Sequence, residues 1–271
     1  VGYARALVSS TRYETQGISG GVGATVTAPA TANTKGSFST LGTIGFEYDG
    51  FHLTITGLPG AGTGRFRIDV SSNTGGSDQL IVEDLYFDAS PAGIYAADQK
   101  SILVPVAVPA GAVLKARAQA TAASLALSVG ILGFQGDAKA TKGFRALKSA
   151  TDWTNTDPTN ALTLSGTTLT GWTQIMAATP VRLAGLYLEL DSLGSAGTTS
   201  HATFEIGIGA SGSEHSTGIV VARQLVSGGA LVTCHGPYPC DIAAGTRLTV
   251  RAQCDAANTN SYGIVLNGLA A

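Results

Sequence analysis

Apolar and polar positions alternate with a period of two along much of the chain. In FHLTITG (51–57), Phe51, Leu53 and Ile55 alternate with His52, Thr54 and Thr56, and LYLELDS (186–192) follows the same plan over most of its length. Each segment therefore predicts a strand with one buried and one wet face. Leu114, Ala116, Ala118 and Ala120 oppose Lys115, Arg117 and Gln119, just as Leu248, Val250, Ala252 and Cys254 oppose Arg247, Thr249, Arg251 and Gln253. Cys254 is expected to face inward. Glycine-rich stretches at 57–64, 71–76 and 192–199 separate these runs and supply the positive φ that tight turns need. Helical periodicity is scarce. Its best example, DAKATKGFRALKSA at 137–150, is interrupted by Gly143 and predicts at most one helical turn.

The alternating runs occur twice, in the same order. RALVSSTRY (5–13) matches RALKSATDW (145–153) at an offset of 140 residues, and the 36–58 segment matches 171–193 at an offset of 135. FRIDV, from Phe66, matches FEIGI, from Phe204, at an offset of 138, and PVAVPAGAVLKARAQA (105–120) lies over PCDIAAGTRLTVRAQC (239–254) at an offset of 134. Small drifts in offset between blocks in constant order are what loop insertions in a duplicated unit produce. The expected fold is all-β: two tandem antiparallel β-sandwich domains of jelly-roll type related by internal duplication. The first is expected at 1–136, a linker at 137–143 and the second at 144–271.

Composition agrees with this plan and narrows the functions open to it. A chain of 271 residues is long enough for two domains, each with its own core. Charged residues make up only 13%, and 16 basic against 18 acidic residues leave a net charge of -2. Direct nucleic-acid binding therefore has little electrostatic support. The longest apolar stretch, Leu125 to Phe134, is broken by Ser128, Gly130 and Gly133 and is shorter than the ~20 residues of a membrane-spanning helix. Residues 1–16 carry Arg5, Arg12 and Glu14 among few apolar positions, which does not read as a secretory signal, and Val1 fits removal of an initiator Met from a protein made intracellularly.

Candidate chemistry is sparse. None of His52, His201, His215 and His235 stands at metal-ligand spacing from another, so neither a metal nor a cofactor is expected. GISGG at 17–21 places Ser19 in a Gly-x-Ser-x-Gly pattern, but without the strand and helix that a nucleophile elbow needs. Glu83 and Asp84 read as a strand end or wet edge rather than a glycosidase pair. The sequence TCHGPYPC offers a candidate disulfide between Cys234 and Cys240, if the five intervening residues form a loop; unpaired thiols are the alternative. Arg5, Arg145, Arg117, Arg251, Gln119 and Gln253 recur between the copies and are candidate interface residues, with pairing across the sheet as the other reading. Trp153, Trp172 and Tyr238 are candidate stacking residues for a sugar, with packing as the alternative. No enzymatic activity is expected.

The paired blocks RALxSxTxY/W and PxxxxAGxxLxxRAQ, on a low-charge chain rich in Ala, Gly, Thr and Ser, resemble β-sandwich structural proteins of tailed-phage particles. That resemblance implies a virion subunit made in the host cytoplasm, of capsid decoration or cement type. Its partners would be further copies of itself and other virion proteins such as a major capsid protein. A double jelly-roll capsid protein, a head fibre and a tail component fit the same resemblance, and a carbohydrate- or surface-binding module is the alternative of a different kind.

Overall fold

The computed structural model describes residues 10–18, 23–58, 64–89, 99–136, 144–154, 157–158, 161–164, 166–192, 200–225, 233–255 and 261–271. Among these the regular structure is β throughout, and no helix is long and apolar enough to cross a membrane. Contacts divide the chain into two units, the first including the described residues from Ser10 to Lys148 and the second those from Ser149 to Ala270. The expected linker at 137–143 lies outside the described residues. The segment after it, 146–149, is a strand rather than the helical turn that its spacing suggested. Ala146 and Leu147 are buried there, which an isolated turn would not achieve.

In the first unit, β1 (Ser10–Gln16) and β2 (Ala24–Thr27) both pair with β9 (Ala126–Gly136). β9 pairs in turn with β4 (Gly50–Gly57), and β4 with β7 (Gln99–Val104). The second sheet runs β3 (Ser39–Thr43), β8 (Val113–Ala120), β5 (Arg65–Asn73), β6 (Gln79–Asp88). β10 (Ala146–Ser149) adds to the β6 edge in parallel. With β1 and β2 taken as one interrupted strand, the first strand pairs with the last, the second with the seventh, the third with the sixth and the fourth with the fifth. These nested hairpins, folded over into two sheets, make a jelly roll.

The second unit repeats the nesting. β13 (Ala161–Thr163) pairs with β20 (Ser261–Ala270), β20 with β15 (Leu183–Ser192) and β15 with β18 (Thr233–Ile242). The other sheet runs β14 (Thr173–Met176), β19 (Leu248–Cys254), β16 (Ser200–Ile208), β17 (His215–Leu225). A two-residue ribbon, β11 (Trp153–Thr154) with β12 (Asp157–Pro158), precedes them.

Each core forms between its two sheets from the alternating positions. Phe51, Leu53 and Ile55 are fully buried while His52, Thr54 and Thr56 are partly exposed. Leu248, Val250, Ala252 and Cys254 are buried as their period requires. LYLELDS departs from the expectation of a wet face, because Tyr187 and Glu189 are buried along with Leu186, Leu188 and Leu190. The Asn267 side-chain amide donates to Glu189 Oε1 at 2.7 Å, the kind of partner a buried carboxyl requires.

Strand pairing also corrects two of the sequence alignments. Arg117 stands opposite Asp69, and its repeat mate Arg251 stands opposite Glu205. Glu205 is therefore the counterpart of Asp69, and the FRIDV/FEIGI match is two residues out of step. Likewise Ser39 opposes Ala116 while Thr173 opposes Val250, so Trp172 takes the place of Phe38 rather than of Ser37.

Candidate functional site

The corrected register brings the same three-part brace into view in both units, on the outward face of the sheet that carries β8 or β19. In the first unit, Arg117 Nε donates to Asp69 Oδ2 at 2.8 Å while its guanidinium lies 4.6 Å from the centre of the Phe38 ring. In the second, Arg251 Nε donates to Glu205 Oε2 at 2.6 Å and the guanidinium lies 4.3 Å from the Trp172 ring. A planar cation held edge-on by a carboxylate and face-on by an aromatic ring is doubly fixed, which suits Arg and not Lys. The bonds from Arg251 and then Ser216 hold the Glu205 carboxyl below the usual glutamate range. Gly207 makes room for the tryptophan, since a Cβ there would come within 2.5 Å of the Trp172 ring.

Beside this shared brace the two faces diverge. Around Asp69 the first unit gathers Lys35, which also pairs with Asp84 at 2.8 Å, and Arg67, which pairs with Asp84. One row along from the brace, Arg67 stands opposite both Tyr86 and Gln119; Tyr86 is fully buried and Gln119 is 5% exposed. The corresponding row of the second unit holds Thr203, opposite Ala222 and Gln253. With Arg67 and Tyr86 replaced by Thr203 and Ala222, the row is hollow. The result is an open groove of about 470 Å³ lined by Thr167, His201, Thr203, Gln253 and Asp255, with Ala202, Ala222 and Cys254. Such a volume is in the range of small-ligand sites.

At one end of the groove Asp255 fixes His201. Its Oδ1 accepts the His201 backbone N–H at 2.7 Å and its Oδ2 lies 2.9 Å from Nδ1. The backbone bond, then the ring bond, hold the Asp255 carboxyl below its usual range. With Nδ1–H directed to the carboxylate, a neutral ring offers Nε2 as an acceptor. Thr167, Thr203, Gln253 and His201 together present hydroxyl, amide and imidazole groups suited to a neutral, hydroxyl-rich molecule. Among the described residues no group of three or more His, Cys, Asp or Glu side chains is placed to hold a metal ion.

The sequence-derived candidates fall in different places. Arg117 and Arg251 are the centres of the braces, paired within their own sheets. Gln119 is buried in the filled row and Gln253 lines the groove. Arg145 is exposed just ahead of β10, and Arg5 lies outside the described residues. None of Trp153, Trp172 and Tyr238 lines the groove: Trp153 Nε1 donates to Ser149 Oγ at 2.8 Å, Trp172 stacks under Arg251, and Tyr238 packs against the second core. Glu83 and Asp84 are ion-paired, with Lys148 and with Lys35 and Arg67 respectively.

The proposed Cys234–Cys240 disulfide is corrected. Both residues lie on β18, where Cys234 opposes Glu189 while Pro239 opposes Gly185 and Ile242 opposes Leu183. The partner positions are separated by about four residues of β15, roughly 13 Å of strand, against a Cα separation of ~7 Å at most in a disulfide. The Cys240 thiol is free, and it is pushed up to about 11 by burial and then by the neighbouring Asp241. Sequence reasoning missed the His201–Asp255 pair and the groove, whose residues come from three strands and a loop and have no local spacing in common.

No protein-family model matches the chain, and no curated protein matches it. Among solved structures it is similar to the N-terminal CBM22-1-CBM22-2 tandem domain of Paenibacillus barcinonensis Xyn10C, at 10% identity over 95% of this chain and 91% of that one, with a TM-score of 0.27. Infectious bursal disease virus Gx strain is a second, at 12% identity over 94% of this chain and 71% of that one, with a TM-score of 0.17. Scores this low leave the two jelly rolls to rest on the chain's own strand pairing.

Proposed function

We propose that the chain is a non-enzymatic structural subunit of a virus particle, of capsid decoration or cement type. The observation that carries this reading is what the duplication preserved. Both units keep the Arg–carboxylate–aromatic brace, which stiffens a sheet. Of the groove-lining residues only Gln253 has an identical counterpart, Gln119, and there the row is filled by Arg67 and Tyr86. A repeated scaffold with a brace and no repeated site is the design of a building block. The small net charge and scarcity of long charged side chains favour close packing against like surfaces. The test is electron microscopy and protein composition of the particles from which the chain derives, with the expectation of stoichiometric, symmetry-related density for two jelly rolls per copy. Absence of the chain from every particle overturns the reading.

The groove of the second unit supports a second reading, carbohydrate binding. Thr167, Thr203, Gln253 and His201 offer it donors and acceptors beside apolar lining and the Asp255 carboxylate, and the braced Trp172 lies on the same sheet face. Titrating the chain with soluble oligosaccharides while observing amide NMR shifts tests it: shifts centred on Thr203 and Gln253, lost in Gln253→Ala, support sugar binding. Unchanged spectra across sugars remove it.

A further inference from the structure

The end of the groove repeats a backbone contact of the first unit and adds a side-chain one. By the register that sets Asp69 opposite Arg117 and Glu205 opposite Arg251, His201 is the counterpart of Arg65, and Asp255 of Thr121. In the first unit Thr121 Oγ1 accepts the Arg65 backbone N–H at 3.2 Å, and the Thr121 amide donates to the Arg65 carbonyl at 3.0 Å. In the second, Asp255 Oδ1 accepts the His201 backbone N–H at 2.7 Å, and the Asp255 amide donates to the His201 carbonyl at 2.9 Å. A hydroxyl therefore suffices to close this corner. What the aspartate adds is a second oxygen, Oδ2, and its partner is Nδ1 of the His201 ring. The two side chains are 70% and 53% exposed, and a pair so open to water contributes little to stability. Its effect is on the ring: an ionised carboxylate only accepts, so Nδ1 carries the proton and Nε2 is left as an acceptor.

The charges of the row have gone in the same change. Arg65, Arg67 and Asp88 of the first unit give way to His201, Thr203 and Gln224. Among the described residues no Lys or Arg lines the groove. Arg251, two residues before Gln253 on β19, is held by Glu205 and stacked on Trp172. With His201 neutral, the one formal charge among the lining residues is the Asp255 carboxylate. A ligand carboxylate placed here meets a like charge and no cation. A ligand hydroxyl meets an acceptor in His201 and both donors and acceptors in Thr167, Thr203 and Gln253.

We propose that His201 is the specificity-determining residue of the groove: its Nε2 accepts a hydroxyl hydrogen of an uncharged sugar, and the groove selects such sugars over uronic acids. Asp255 is a positioning residue, which acts through the imidazole by fixing its tautomer. The assignment rests on the carbohydrate reading above and sharpens it to a charge class of sugar and the residue that reads it.

Proton–nitrogen NMR of the histidine rings and sugar titrations test it, with maltohexaose, cellohexaose and mannohexaose as neutral probes and oligogalacturonate as the acidic one. In the free chain, in mildly alkaline buffer, the His201 ring is expected to carry its proton on Nδ1. Asp255→Asn keeps an oxygen for the backbone N–H but turns an amide donor toward Nδ1, and is expected to move the proton to Nε2 while the circular dichroism stays unchanged. At least one neutral probe is expected to shift His201, Thr203 and Gln253, and oligogalacturonate none of them. Asp255→Asn and His201→Leu are each expected to weaken that binding about tenfold, the loss of one hydrogen bond to the ligand. His201→Gln, which keeps an acceptor, is expected to weaken it less. A ring protonated on Nε2 in the unaltered chain overturns the proposal. So does sugar binding that leaves His201 unshifted, that survives intact in Asp255→Asn and His201→Leu, or that extends equally to oligogalacturonate; each of these leaves the carbohydrate reading standing. Spectra unmoved by every probe overturn the proposal and that reading together.

Discussion

The outward faces of the two braced sheets share a scaffold and differ in what fills it. In the first unit Arg67, Tyr86 and Gln119 occupy the row beside the brace, and Lys35, Asp69 and Asp84 tie loop and strands together. In the second, Thr203, Ala222 and Gln253 leave the row open and His201 and Asp255 close its end. One copy has spent the face on internal ion pairs and the other has cleared it. A duplicated fold diverges most easily at such positions, because an outward row can change size without disturbing the packed core behind it.

The comparison breaks first at the two carboxylates. Asp69 is 1% exposed and receives Lys35, Arg117 and the Asp84 backbone amide. Asp69→Ala leaves Arg117 and the Asp84 amide without their acceptor and Lys35 with Asp84 alone, and is expected to cost about 3–5 kcal/mol. Faster hydrogen exchange along β5 and β8 is the readout. Glu205→Ala removes a more exposed carboxylate and is expected to cost about 1–2 kcal/mol. That loss is visible in the tryptophan fluorescence, since both tryptophans, Trp153 and Trp172, lie in the second unit. Equal losses at the two sites would mean that the braces are energetically alike despite their different burial.

A smaller difference is expected at a glycine pair in the last strands. A Cβ on Gly133 would come within 2.2 Å of the Tyr48 ring, and one on Gly268 within 2.5 Å of Leu183, which occupies the position of Tyr48 in the repeat. Alanine at either site overpacks the core at a cost of about 1–3 kcal/mol. Gly133→Ala is expected to cost more, because a buried ring cannot bend aside as a leucine side chain can. Urea denaturation of each variant ranks them, and the reverse order would contradict the packing argument.

Acid should affect the second brace in a defined direction. The folded-state pKa of Glu205 is lowered by Arg251 and then Ser216, so its contribution is present above the unfolded glutamate value of about 4.3 and is lost as pH falls through the lower, folded one. Carbon-13 NMR of the Glu205 carboxyl is expected to show a midpoint below that of free glutamate, and Arg251→Met to move it upward. An unmoved midpoint would remove Arg251 as the cause. The smallest effect concerns Cys240: with its thiol pushed up to about 11, alkylation of the native chain at neutral pH is expected to be slow there and to accelerate on unfolding. Mass mapping of the alkylated peptide checks it.

Most of the strands and buried faces, and the duplication, were legible in the chain, because side-chain period and turn chemistry are local properties that survive without knowledge of partners. Phe51, Leu53 and Ile55 declare their face by spacing alone, and Pro105/Pro239, Gly111/Gly245 and Arg117/Arg251 declare the repeat. Alternation also has a blind spot. A shift of two residues returns every side chain to the same face, so FRIDV could be laid on FEIGI with Phe66 on Phe204 and still look correct. Only the ladders, with Arg117 across from Asp69 and Arg251 across from Glu205, set the true step. The tertiary structure likewise decided that TCHGPYPC is strand and not loop, which separates its cysteines. It decided that RALKS completes the sheet before it, and that Thr203 and Ala222 hollow out a row that Arg67 and Tyr86 fill. Each of these depends on which residues from distant parts of the chain come to lie side by side, and that is settled by strand pairing, which no single segment carries.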